Sequence, residues 1–67
     1  MYRSIRKALV GLIKPTMEEV CRNFSDIHHV SMETARFVFT EAWCEGVIEK
    51  RYARSHGDIY VALVDEE

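Results

Sequence analysis

The sequence predicts one small α+β domain, three helices followed by a C-terminal β-hairpin. Apolar residues recur at helical spacing in three successive segments between residues 2 and 45. After Gly46 the period shortens toward two, the alternation of a half-buried strand. The chain has 67 residues, 48% of them hydrophobic, with one Pro and three Gly. A domain of this size buries only about 60% of its unfolded surface, so its core must use most of the apolar positions. Little room is left for a deep catalytic cavity.

Tyr2, Ile5, Leu9, Leu12 and Ile13 form the stripe of a first helix over residues 2–13, with Arg3, Arg6 and Lys7 on its other faces. Gly11 weakens its end and the Lys14-Pro15 step stops it, since a residue before proline avoids helical dihedrals. Thr16-Met-Glu-Glu19 is a capping-box pattern opening a second helix over residues 16–27. Met17, Val20, Cys21, Phe24 and His28 make its stripe, with Ile27 at the edge.

Ser31 is an N-cap candidate for a third helix over residues 32–45, with Val30 placed as a hydrophobic staple. Met32, Ala35, Val38, Phe39, Ala42 and Trp43 share one arc, and Gly46 sits where a left-handed C-terminal cap prefers glycine. Two strands follow, residues 47–54 and 59–64, joined by the turn cluster Ser55-His56-Gly57-Asp58. On the first of them Ile48 and Tyr52 face one way, Glu49 and Arg51 the other. Asp65, Glu66 and Glu67 are read as a solvated acidic tail. The expected core is Ile5, Leu9, Leu12, Val20, Phe24, Ala35, Phe39, Ala42, Trp43, Ile48, Val61 and Leu63.

Several classes drop out on composition. No apolar run approaches the ~20 residues that span a bilayer, so no membrane association is expected. Met1 to Lys7 is charged and alternating, unlike a signal peptide, and the expected location is the cytoplasm. Two cysteines, Cys21 and Cys44, are too few for a disulfide scaffold and are expected to be buried thiols. The formal charge of −2 means that any contact with nucleic acid must rest on local charge.

Three helices and a hairpin, in this order, resemble the winged helix-turn-helix superfamily. The residues that support the resemblance are Val30-Ser31, then Ala35, Phe39 and Ala42, then Gly46-Val47-Ile48, and finally Ile59-Tyr60-Val61-Ala62-Leu63. It spans about residues 2–64 and is one of apolar spacing, with no specific motif. His29 departs from it, standing where the family often has glycine and implying a different or longer turn between helices two and three. The resemblance implies a small stand-alone regulator of transcription, of the kind encoded on bacterial or mobile-element genomes, bound to double-stranded DNA. The third helix would lie in the major groove and the wing would touch the backbone or minor groove. By position, Ser31, Thr34, Arg36, Phe37 and Thr40 would then face DNA. Lys50, Arg51, Arg54 and His56 would serve the wing. Arg36 can read guanine bidentately, Ser31 can cap the helix and offer its hydroxyl to a phosphate, and the other cations pair with phosphates. A homodimer or an array on repeated sites is the expected assembly, because one module makes few contacts.

The charges complicate that carry-over. The solvent arc of the third helix holds Arg36 against Glu33, Glu41 and Glu45. Positive charge gathers instead on Arg3, Arg6, Lys7 and Lys14, and in Lys50 to Arg54. Phe37 sits in the middle of the polar arc, where it can meet a thymine methyl or anchor a protein partner. A winged-helix interaction module, adaptor or inhibitor, is therefore the second reading. No phosphate loop, Ser-His-Asp set or carboxylate pair is present, so no enzyme and no cofactor is expected. Cys21, His28, His29 and Cys44 match no familiar zinc spacing, and no metal is expected.

Overall fold

In the computed structural model the chain is described over residues 2–53 and 58–64, apart from the side chains of Tyr2, Ala53 and Asp58. Its elements are α1 (Tyr2–Leu9), α2 (Met17–His28), α3 (Met32–Cys44), β1 (Ile48–Ala53) and β2 (Asp58–Leu63). The three-helix and hairpin order expected from the sequence is present. Arg54, residues 55–57 of the expected turn (His56 among them) and residues 65–67 of the expected tail lie outside the described residues.

Helix α1 is shorter than its periodicity suggests. Gly11 takes a left-handed φ of 85°, and the Val10 amide donates to Arg6 O as the last helical bond. A left-handed residue cannot continue a helix, so Leu12 and Ile13 turn outward. Leu12, expected in the core, is exposed, and so is Ile13. Asn23 Nδ2 donates to Ala8 O at 2.7 Å, satisfying one of the carbonyls that α1 leaves open at its end.

The capping box on α2 is present in full. Glu19 N donates to Thr16 Oγ1 at 3.2 Å, and Thr16 N donates to Glu19 Oε1 at 2.8 Å. The turn to α3 is short, and His29 makes it so by adopting φ 56°, ψ 46°. The α2–α3 connection is thus a tight turn and not a long loop. Histidine is one of the residues enriched in this left-handed region, and its amide donates to Ser25 O as the helix ends.

The core lies where α2 crosses α1 on one side and α3 on the other, and the base of the hairpin closes it. Ile5, Ala8, Val20, Cys21, Phe24, Ala35, Phe39, Ala42, Ile48, Val61 and Leu63 are buried. Phe24 and Phe39 meet edge to face with centroids 5.5 Å apart. Leu9 is partly buried against this cluster. Trp43, also expected inside, is 46% exposed, because it stands at the border of the apolar arc and leans toward β1.

The hairpin is antiparallel, with Ile48 opposite Leu63, Lys50 opposite Val61 and Tyr52 opposite Ile59. Alternation puts Ile48, Lys50 and Tyr52 on one face. Ile48 reaches the core, but the strands run beyond it, so Tyr52 and Ile59 are exposed. The Val61 amide donates to Pro15 O at 2.8 Å, tying the outer edge of β2 to the α1–α2 linker.

Candidate functional site

The face that α3 turns away from the core holds Thr34, Arg36, Phe37 and Thr40, all exposed. Burial of Ala35, Phe39 and Ala42 on the opposite side fixes that orientation. Thr34 and Arg36 belong to the first half of the helix, Phe37 and Thr40 to its middle. Glu41 belongs to its last turn, and Glu45 is its C-cap. The helix therefore separates its polar arc into an almost neutral first half, Glu33 and Arg36, and an acidic end.

Ser31 is the N-cap, as expected. Thr34 N donates to Ser31 Oγ at 3.1 Å, and Ser31 Oγ donates to Thr34 Oγ1 at 3.0 Å. Ser31 is exposed, so its hydroxyl stays at the surface where α3 begins.

The expected cations divide into two kinds. Among the described residues Arg36 has no carboxylate partner. Lys50 Nζ lies 4.1 Å from the centroid of the Trp43 ring, and the Arg51 guanidinium is bound to the Glu49 carboxylate. The hydrogen bond that Arg51 donates to Glu49 holds the Arg51 pKa above its ordinary value. Lys50 and Arg51 are thus engaged within the fold before any ligand arrives.

Trp43, like Leu12, lies outside the core expected for it, and its contact with Lys50 crosses the Gly46 turn. Helical periodicity carries no information across such a turn. The arc position of Trp43 at the edge of the apolar stripe is the one available signal. Lys14 is similar: its Nζ lies 5.9 Å from the Tyr60 ring, a contact set by how the linker returns to β2.

The cysteines differ from the expectation that both are buried. Cys21 is buried and Cys44 is exposed. Burial pushes the Cys21 thiol pKa up, partly offset by the nearby Arg36 charge. A native-state thiol titration should therefore modify Cys44 quickly and leave Cys21 untouched until denaturant is added. Fast reaction of both thiols in the folded protein would contradict this packing of α2.

The His28 ring packs at a tilt against Phe24 with centroids 4.4 Å apart, and its buried Nε2 has no hydrogen-bond partner among the described residues. It packs beside Phe24 at the edge of the core. A surface depression of about 410 Å³ lies between the linker and α2, lined by residues such as Ile13, Glu19 and Arg22, and includes none of the α3 residues. Among the described residues no three His, Cys, Asp or Glu side chains are grouped to hold a metal ion. Among the described residues no helix is long and apolar enough to cross a membrane. The chain matches no protein-family model, no curated protein and no solved structure.

Proposed function

We propose that the chain is a small winged helix-turn-helix DNA-binding regulator that presents the first half of α3 to double-stranded DNA. The observation that supports this most is the uncovered arc of Thr34, Arg36, Phe37 and Thr40 on a helix held by a tight α2–α3 turn and followed by a hairpin. Helices of this class contact base edges with their N-terminal residues. That geometry leaves Glu41 and Glu45 away from the phosphates, and Glu33 can accept from a cytosine amine. Arg36, with no carboxylate partner among the described residues, is the base-reading side chain. Thr34 and Thr40 flank it with hydroxyls, and Phe37 meets a thymine methyl. Lys50 and Arg51 act after exchanging Trp43 and Glu49 for phosphate, which reduces what each contributes.

Titration of mixed duplex DNA at about 50 and 200 mM salt tests the proposal. Binding at the lower salt and a steep loss at the higher is the expected result, because phosphate neutralisation releases counterions. No binding at about 50 mM removes this reading.

Phe37 supports a second reading. It is 66% exposed at the centre of an arc that holds three carboxylates against one guanidinium. An aromatic anchor inside a charged rim is also the pattern of a protein-docking surface. Phe37→Ala separates the two: loss of DNA affinity favours the first, and unchanged DNA affinity favours docking.

A further inference from the structure

We infer that two copies of the chain pair edge to edge through β1, antiparallel about a two-fold axis at Lys50, so that Glu49 of each copy meets Arg51 of the other. This pairing does not depend on what the α3 arc binds, because the edge of β1 belongs to the hairpin.

The hairpin has one edge tied down and one left open. The Val61 amide points away from β1, since it donates to Pro15 O. Lys50 stands opposite Val61, and in an antiparallel ladder both members of such a pair turn their backbone groups outward. Outward and inward residues alternate, so Ile48, Lys50 and Tyr52 present their amides and carbonyls at the outer edge of β1. The bond from Val64 N to Val47 O, at the base of the hairpin, falls on the inward set and fits this phase. Among the described residues no group bonds to that outer edge. An open row of amides and carbonyls accepts a further strand.

The side chains of β1 select a second copy as that strand. A two-fold axis that continues the sheet makes the two strands antiparallel. Outward residues must face each other to bond, which puts the axis at Glu49, Lys50 or Arg51 if most of the strand is to pair. At Glu49 two carboxylates meet, and at Arg51 two guanidiniums meet. At Lys50 each Glu49 faces an Arg51, and each Ile48 faces a Tyr52. Glu49 and Arg51 share one face of β1, where they are bonded to each other and half exposed. Pairing therefore gathers two carboxylates and two guanidiniums in alternation, at the positions where cross-strand side chains come closest. On the other face Tyr52, 67% exposed in the single copy, gains an apolar neighbour. Lys50 facing Lys50 opposes the pairing, although each ammonium rests on the Trp43 ring of its own chain. The assembly closes at two copies, because each copy has used its open edge.

Sedimentation velocity and NMR amide exchange of the whole chain, at about 10 and 500 µM, test this over the range where weak pairs form. The expected mass rises with concentration to that of a dimer and no further. The Lys50 and Tyr52 amides, unbonded in the single copy, should gain protection as the dimer fills. Glu49→Arg and Arg51→Glu each place like charges opposite one another and should stay monomeric, weakened at least about tenfold. Mixed in equal amounts they should form a heterodimer, since every Arg on one strand then meets a Glu on the other. Lys50→Thr removes the one like-charge pair and should associate more tightly than wild type. Circular dichroism checks that the variants fold, and exchange on the wild type decides the matter without them. A monomeric wild type at about 500 µM overturns the pairing. So does a dimer that leaves Lys50 and Tyr52 unprotected, growth past two copies, or a mixture of folded variants that forms no complex.

Discussion

Phe39→Ala should lower the unfolding free energy by about 3–5 kcal/mol, the range for removing a fully buried aromatic side chain. Phe39 has no exposed surface and packs its ring edge to face with Phe24. It sits on α3 at the junction with α2, so its loss opens a cavity that the short flanking helices cannot close without giving up other contacts. Total stability for single domains is about 5–15 kcal/mol, and a chain of this length belongs at the low end. Thermal or urea unfolding followed by circular dichroism should therefore show the variant largely unfolded or close to it at 25 °C. A variant that melts cooperatively within a few degrees of wild type would show that the core is organised around other residues. Phe37→Ala is the control, being two positions away on the same helix and exposed. It should leave the melting temperature almost unchanged, since surface substitutions away from specific interactions fall within about 0.5 kcal/mol.

Arg36→Ala should change which DNA sequence is preferred more than it changes the salt dependence. A bidentate guanidinium–guanine contact contributes about 1–3 kcal/mol of discrimination against the wrong base. Selection of duplexes from a random pool, followed by competition between the best and the substituted sites, should show a drop of roughly 5- to 150-fold in discrimination at one position, the same energy expressed as a ratio. Lys50→Ala should act differently. Its ammonium already rests on the Trp43 ring, so any effect should be nearly uniform across sequences and reduce the salt slope by at most about one. Equal preference profiles for wild type and Arg36→Ala would remove Arg36 from base reading. The α1 cations Arg3 and Lys7, exposed and far along the chain from α3, would then be the next contacts to test.

Most of the secondary structure is legible in the sequence because its signals are local. Thr16 and Glu19 lie three residues apart and complete their capping box within one turn. Ser31 likewise finds Thr34, and Gly46 takes the left-handed φ of 82° that ends the α3 region. The buried stripe of α3 follows from spacing, and the exposed positions of Thr34, Arg36, Phe37 and Thr40 follow with it. The error at α1 is instructive. The periodic pattern runs on to Ile13, yet Gly11 ends the helix, because φ/ψ freedom at one residue overrides an apolar pattern that has nothing to pack against beyond it.

By itself, then, the sequence determined the order of three helices and a hairpin, the caps and the buried face of each helix, all through contacts within one or two turns of chain. Only the tertiary structure decided where the side chains at the margins go. It took Trp43 out of the core and set it under Lys50, and it brought Val61 to Pro15 and Lys14 to Tyr60. Most of these outcomes depend on the angle at which one element meets another. That angle is set by packing among residues far apart in the chain, which a periodicity of two or 3.6 does not record.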